Sequence, residues 1–261
     1  MEPALWISKT GLEAQDQNIA TIANNLANVN TTGYKTSRAL FEDLIYQNFK
    51  QAGAQSTQNT QIPTGINMGT GVRLVATEKI FTQGGIQNTQ NPLDLAIMGQ
   101  GFFTILMPDG TQAYTRDGTF QLDSTGQIVT NNGNLLQPAI TVPAQTTAIT
   151  IGTDGTVSAT IAGTATPSII GTIQLTNFVN KAGLQPIGSN LYIETAASGP
   201  PQIDNPGASG LGTLLQGSLE ASNVNVVEEL VNMIQAQRAY EITAKSIETV
   251  DNMLQYLTQT L

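Results

Sequence analysis

Neither cysteine nor histidine occurs anywhere in the 261 residues. Without thiols there are no disulfides and no thiolate metal sites, and without imidazole the commonest general base and transition-metal ligand are missing. Ser-His-Asp and Cys-His chemistry are excluded, which leaves only carboxylate, lysine or tyrosine catalysis open. Charge is also scarce. Only 11% of the residues are charged, against roughly 25% in an average soluble domain, so the surfaces hydrogen-bond more than they repel. Ten Lys and Arg face nineteen Asp and Glu, a balance that opposes a phosphate backbone, so nucleic acid is not an expected partner. No apolar run reaches the roughly eighteen residues of a spanning helix, and no Lys/Arg-rich amphipathic face suits a lipid surface. The opening Met1-Glu2-Pro3-Ala4-Leu5-Trp6 has no basic stretch followed by an apolar one, so no cleaved secretory signal is expected.

What is present falls into three textures: a helical start, a middle punctuated by Gly, Thr and Asn, and a long helical tail. At the start Leu5, Leu12, Ile19 and Leu26 recur every seven residues, with Ile22 and Val29 three further on from the last two, a coiled-coil-like seam. In the tail Val226, Met233, Tyr240, Ile247, Leu254 and Leu261 keep the same period, flanked by Ala236, Val250 and Leu257. Asn225 with Glu228 three residues on reads as a variant capping box, placing the helix start near Val226. A helix from there to about Thr260 would measure on the order of 50 Å. A seam this narrow is expected to be satisfied by pairing the two helices and covering the remaining face with neighbouring copies. Weak helicity in isolated copies, rising on polymerisation, follows as an expectation.

The middle alternates short Val/Ile/Leu/Phe runs with Asp109-Gly110, Asp117-Gly118, Asn132-Gly133 and Asp154-Gly155, dipeptides that suit tight hairpin turns. Antiparallel strands are expected, and the fold class is α+β: terminal helices forming a coiled-coil domain around an inserted all-β domain of short strands. The expected divisions are 1–30 for the first helix, 31–91 for an extended linker, 92–214 for the β domain and 215–261 for the second helix. Residues 222–261 join 1–30 in an inner core. Asp94, Asp109, Asp117 and Asp123 could be imagined as the paired carboxylates of a glycosidase, but turn chemistry accounts for them more simply. Gly99 and Gly101 begin a G-x-G pattern, yet Phe102-Phe103-Thr104-Ile105-Leu106 reads as a strand where a dinucleotide site needs a helix. The Asp-Gly spacings are irregular and form no calcium loop. No cofactor, metal or small-molecule substrate is implied. Tyr34-Lys35 and Arg38 suit ordinary interface hydrogen bonds better than a basic recognition site.

The first helix runs into Ala23-Asn24-Asn25-Leu26-Ala27-Asn28-Val29-Asn30-Thr31-Thr32-Gly33-Tyr34-Lys35, where Asn, Thr and Gly stop a helix and Gly33 is the expected turn point. This stretch closely resembles the amino-terminal signature of the bacterial flagellar rod and hook family. The tail, Ser222 to Val231 and then Gln235-Ala236-Gln237-Arg238-Ala239-Tyr240-Glu241, resembles that family's carboxy-terminal helix. Gly99-Gln100-Gly101-Phe102-Phe103 and Tyr114-Thr115-Arg116-Asp117-Gly118-Thr119-Phe120 are similar to its β-domain motifs. The polar segment from Tyr46 through Gly53 to Pro63, followed by Thr64-Gly65-Ile66, is most similar to the members that build the distal rod. From about Val142 to Pro206 little likeness is visible.

The resemblance implies a structural subunit that is not an enzyme and that stacks helically into the distal rod, a drive shaft passing torque to the hook. Its implied partners are further copies of itself, proximal rod proteins, hook protein, the outer-membrane and peptidoglycan ring proteins acting as bushing, and the flagellar type III export apparatus. Its implied place is the basal body, from periplasm to outer membrane. The assembly interface is expected at Leu5, Leu12, Ile19, Ile22, Leu26, Asn24, Asn25, Asn28, Asn30, Gly33, Val226, Met233, Arg238, Tyr240, Ile247 and Leu254, with Tyr46, Gly53, Pro63 and Gly65 marking the rod-type segment. A proximal rod or hook-type axial protein is the nearest alternative. An exported β-rich adhesin or carbohydrate-binding protein is the alternative from another class, and it leaves both heptad ends unexplained.

Overall fold

The structure is a computed structural model that describes residues 2–53, 55–57, 60–61, 63–163 and 166–259. Two long helices bracket a succession of short strands: α1 spans Glu2–Ala27 and α2 spans Val226–Gln259. Among the described residues fourteen strand pairings are antiparallel, and with the two terminal helices the fold is α+β as the hydrophobic periodicity requires. The chain forms two compact units, each discontinuous in sequence.

The first unit takes Met1–Ala27, Ser37–Glu78 and Asn225–Leu261. Its two helices pack together lengthwise. Asn25 hydrogen-bonds Glu229, and a side chain at Gly11 would touch Thr243. These contacts are fourteen residues apart on both helices and run in opposite directions, so the helices are antiparallel. At 1.5 Å per residue α2 is about 51 Å long and α1 about 39 Å, and on this register α2 runs past the start of α1 from about Met253. Within the stretch expected as linker, Ser37–Asp43 pairs with Val72–Lys79, and Tyr46–Lys50 pairs with Ile66–Gly69 in a ribbon whose Ile45, Tyr46, Phe49, Ile66 and Met68 are exposed. Gly71 brings the chain against α1, where the Thr10 hydroxyl accepts from the Val72 N–H at 3.4 Å.

The second unit takes Asn28–Thr36 and Lys79–Val224. Its centre is Phe102–Leu106, a strand buried on both faces because side chains alternate across a sheet. Phe103 and Ile105 enter an aliphatic core with Leu95, Ile97, Phe120, Leu136 and Val157. Phe102 points the other way, into an aromatic cluster with Tyr114, Phe178 and Tyr192, whose rings meet edge to face. The neighbouring strand holds Tyr114 opposite Thr104 and Thr115 opposite Phe103. A separate three-stranded sheet, Thr146–Ile151, Thr156–Ile161 and Ser168–Thr172, closes the aliphatic core with Ile151 and Val157. Hairpins turn at Asp109-Gly110, Asn132-Gly133 and Asp154-Gly155, whereas Asp117-Gly118, expected as a hairpin turn, instead joins Gln112–Thr115 to Phe120–Leu122, which pair with other strands. Asp-Gly-Thr recurs at three of these four places. Asp109, Asp117 and Asp154 each accept the N–H and the hydroxyl of the Thr two residues on, at 2.6–3.1 Å. These carboxylates are occupied by their own turns, and the Thr111 and Thr156 bonds hold the Asp109 and Asp154 carboxyls below their usual range.

Candidate functional site

In the helix pair of the first unit, Leu5, Leu12, Ile19 and Leu26 are half-buried and Ile22 is buried, while Met233, Ile247 and Leu254 are half-buried on α2. Alongside them run Glu229, Ala236, Thr243 and Val250, three or four residues away, so the shielded face of α2 has the 4-3 spacing of a coiled coil. Asn225 starts the helix by accepting the Val227 N–H at 3.2 Å. Val226 and Tyr240, taken from periodicity as members of the same seam, are 37% and 40% exposed. Arg238 is exposed and pairs with Glu241 of its own helix at 3.1 Å. Leu261 lies outside the described residues, as does the side chain of Leu257.

Asn25 is the polar centre of this unit. Its side chain accepts the Ser37 N–H at 2.9 Å, donates to the Ser37 carbonyl at 2.8 Å, and donates to the Glu229 carboxylate at 3.1 Å. One amide thus pins the returning chain to the end of α1 and ties α1 to the first turn of α2. Burial pushes the Glu229 carboxyl up, the Asn25 bond opposes that shift, and Glu228 adds to it. Asn24 is exposed.

The rod-type segment begins with the strand Tyr46–Lys50, whose five residues are all exposed. Tyr46 is exposed, and its hydrogen bond to Asp43 raises the phenol above its usual value. Pro63 is also exposed, Gly53 occupies a left-handed turn, and a side chain at Gly65 would strike the Lys50 carbonyl.

In the second unit Asn28 accepts the Thr31 hydroxyl at 3.2 Å and Asn30 is exposed. Gly33 sits at φ 69°, where a Cβ would lie 2.7 Å from the Asp117 nitrogen. Only glycine has both the backbone freedom and the absent side chain this turn needs. The residues that follow lead to a feature that periodicity did not single out. Lys35, noted above for an interface role, is fully buried: its Nζ donates to Glu220 Oε1 at 2.6 Å and to the Thr82 carbonyl at 2.8 Å. Arg116 meets Glu220 Oε2 at 3.1 Å and the Gly99 carbonyl at 2.7 Å, with its guanidinium over the Phe102 ring. The Gly84 N–H donates to Glu220 Oε1 as well. Two buried cations therefore share one buried carboxylate. Burial lowers the pKa of both Lys35 and Arg116, and Glu220 opposes the shift in each case. Asn223 closes the same region by accepting from the Thr36 N–H and hydroxyl at 2.8 and 2.7 Å and donating to the Ile80 carbonyl at 2.9 Å. One signal in the sequence could have found this node: cations are so few that each one inside an apolar signature, as in Tyr34-Lys35 and Thr115-Arg116-Asp117, needs a partner.

The arrangement joins and braces segments. Three family models match the chain: the flagella basal body rod protein model over residues 6–35, the flagellar hook protein FlgE/F/G D1 domain over 96–159, and the flagellar basal body rod FlgEFG protein C-terminal model over 215–260. The flagellar basal-body rod protein FlgG of Buchnera aphidicola subsp. Schizaphis graminum is 57% identical over 259 residues, covering 99% of this chain and all of that protein. FlgG of Borreliella burgdorferi is 51% identical over 97% of each chain, and FlgG of Bacillus subtilis 40% over 97% of each.

Proposed function

This chain belongs to the flagellar basal-body rod protein family, a structural subunit assembled with other flagellar components in the basal body, and on that premise we propose that its copies stack helically into the distal rod. The observation that carries the reading is that α2 has apolar residues on two opposite faces. One face is covered by α1. The other exposes Val227, Val231, Ile234 and Ile242 at 71%, 48%, 58% and 71%. Fully burying such a side chain contributes roughly 1.5–3 kcal/mol, so an uncovered stripe of four is a strong drive to associate, and contiguous exposed apolar surface marks interaction sites.

As a shaft, the assembly would carry torque from the proximal rod proteins to the hook protein and turn inside the peptidoglycan and outer-membrane ring proteins. The axial load would be shared by parallel helix pairs, and the segment from Tyr46 to Pro63 would brace neighbouring copies. Export in an unfolded state through the type III apparatus agrees with the absence of cysteine.

Electron cryotomography of basal bodies carrying a labelled chain tests the reading: label between the inner rod and the hook is expected, and label confined to the hook or the cell surface would overturn it. Deleting residues 46–63 should soften or curve the shaft, whereas a straight, rigid rod would refute the bracing role.

A further inference from the structure

The exposed stripe of α2 also carries information about what covers it. Asn25 lies beside Glu229 and Gly11 beside Thr243, and this register sets which residues of the two helices share a height on the hairpin. Val227 is level with Ala27, Val231 with Ala23, Ile234 with Ala20 and Arg238 with Asp16. All eight residues are exposed. The spacings are 4, 3, 4 on both helices, in opposite directions. At every height the α2 member faces away from α1 and the α1 member faces away from α2, so the two never meet within one copy.

We infer that the outer stripe of α2 docks on the outer face of α1 of a second copy standing at the same height, with Arg238 of one opposite Asp16 of the other. This rests on the assembly reading above and names the surfaces it uses. Three large side chains then meet three that stop at Cβ, which lets the helices approach closely, and the fourth rung is a cation opposite an anion. The pairing is limited to this end of the hairpin, because further along Lys245 comes level with Lys9 and Glu241 with Glu13, like against like. The interface is heterologous: each copy gives α2 to one neighbour and α1 to another, the arrangement that generates rings or open helical filaments.

The cysteine-free sequence makes the test direct. Ala20→Cys and Ile234→Cys are introduced together and rods isolated in basal bodies are oxidised with diamide. A disulfide needs Cα atoms within about 7 Å, and within one chain the two positions lie on opposite sides of the hairpin, so only contact between copies can form it. A ladder of covalent dimers and higher multimers is expected. A control pairing Ala20→Cys with Lys245→Cys, on the same stripe but about 16 Å along the helix, should give none. Rods that contain the chain but show no ladder, or show the same ladder with the control, overturn the assignment of faces and leave the assembly reading standing. Basal bodies in which the unaltered chain is absent from the rod overturn the assembly reading itself. As a second readout, Asp16→Arg should reduce swimming and Arg238→Asp in the same chain should restore it; failure of rescue alongside an unlinked Ala20/Ile234 pair overturns the pairing.

Discussion

Replacing Glu220 by Gln tests the account of the buried node most severely. The change keeps the shape of the side chain and an oxygen for the Gly84 N–H, but leaves Lys35 and Arg116 facing each other with no anion. Both acid-bearing contacts are dry, the side chains of Lys35 and Glu220 being 0% exposed, so water cannot relieve the loss. Removing one partner of a buried ion pair costs about 3–5 kcal/mol, a large fraction of the roughly 5–15 kcal/mol that holds a domain together. At about 2–4 °C per kcal/mol for a unit of this size, the second unit should melt roughly 6–20 °C lower. Lys35→Met gives the contrast. It removes the surplus cation and leaves Arg116 and Glu220 as a balanced pair, so it should cost less than Glu220→Gln even though the Thr82 carbonyl loses its donor. Denaturant unfolding with hydrogen exchange read at Phe102–Leu106 and Gln112–Thr115 measures both. If Lys35→Met proves as damaging as Glu220→Gln, or if Glu220→Gln costs under about 1 kcal/mol, the charge argument fails and the node acts only through packing.

Three further outcomes follow from the same geometry. Burial raises the Glu229 carboxyl above its ordinary 4.5, so the folded helix pair binds that proton more tightly than the unfolded chain. Its contribution is fully present below pH 4.5 and is lost as pH rises through the higher folded value; Glu229→Gln should therefore stabilise the helix pair at neutral pH and flatten this pH dependence in thermal melts. The lowered Lys35 has the opposite sense, since the unfolded chain binds more protons as pH climbs towards 10.5, and stability of the second unit should rise with pH across that window. Gly33→Ala, which places a Cβ 2.7 Å from the Asp117 nitrogen at positive φ, should destabilise the second unit by more than the roughly 1 kcal/mol typical of glycine substitutions, read by denaturant unfolding.

Much of the architecture was legible in advance because it is local. Seven-residue apolar spacing needs only one helix to express itself, so both terminal helices could be read from it, and the hairpin turns at Asp109-Gly110, Asn132-Gly133 and Asp154-Gly155 could be read from the backbone demands of two consecutive residues. The family resemblance could be placed for the same reason, since it rests on contiguous motifs such as Ala23 to Lys35. Periodicity gave one face of α2 and assigned Val226 and Tyr240 to it. The second, outward stripe through Val227, Val231 and Ile234 has the same 4-3 spacing half a turn away, and no count along a single helix says which of two such stripes meets the partner.

Only tertiary structure decided that question, through the antiparallel register fixed by Asn25 with Glu229 and Gly11 with Thr243. It also decided the node, because Lys35 and Glu220 are 185 residues apart and nothing local signals that one carboxylate serves two distant cations. Sequence alone determined which elements form, since helix periods and turn residues act over a few positions. Which faces are spent inside the chain, and which are left for a neighbour, depends on where the chain returns in space.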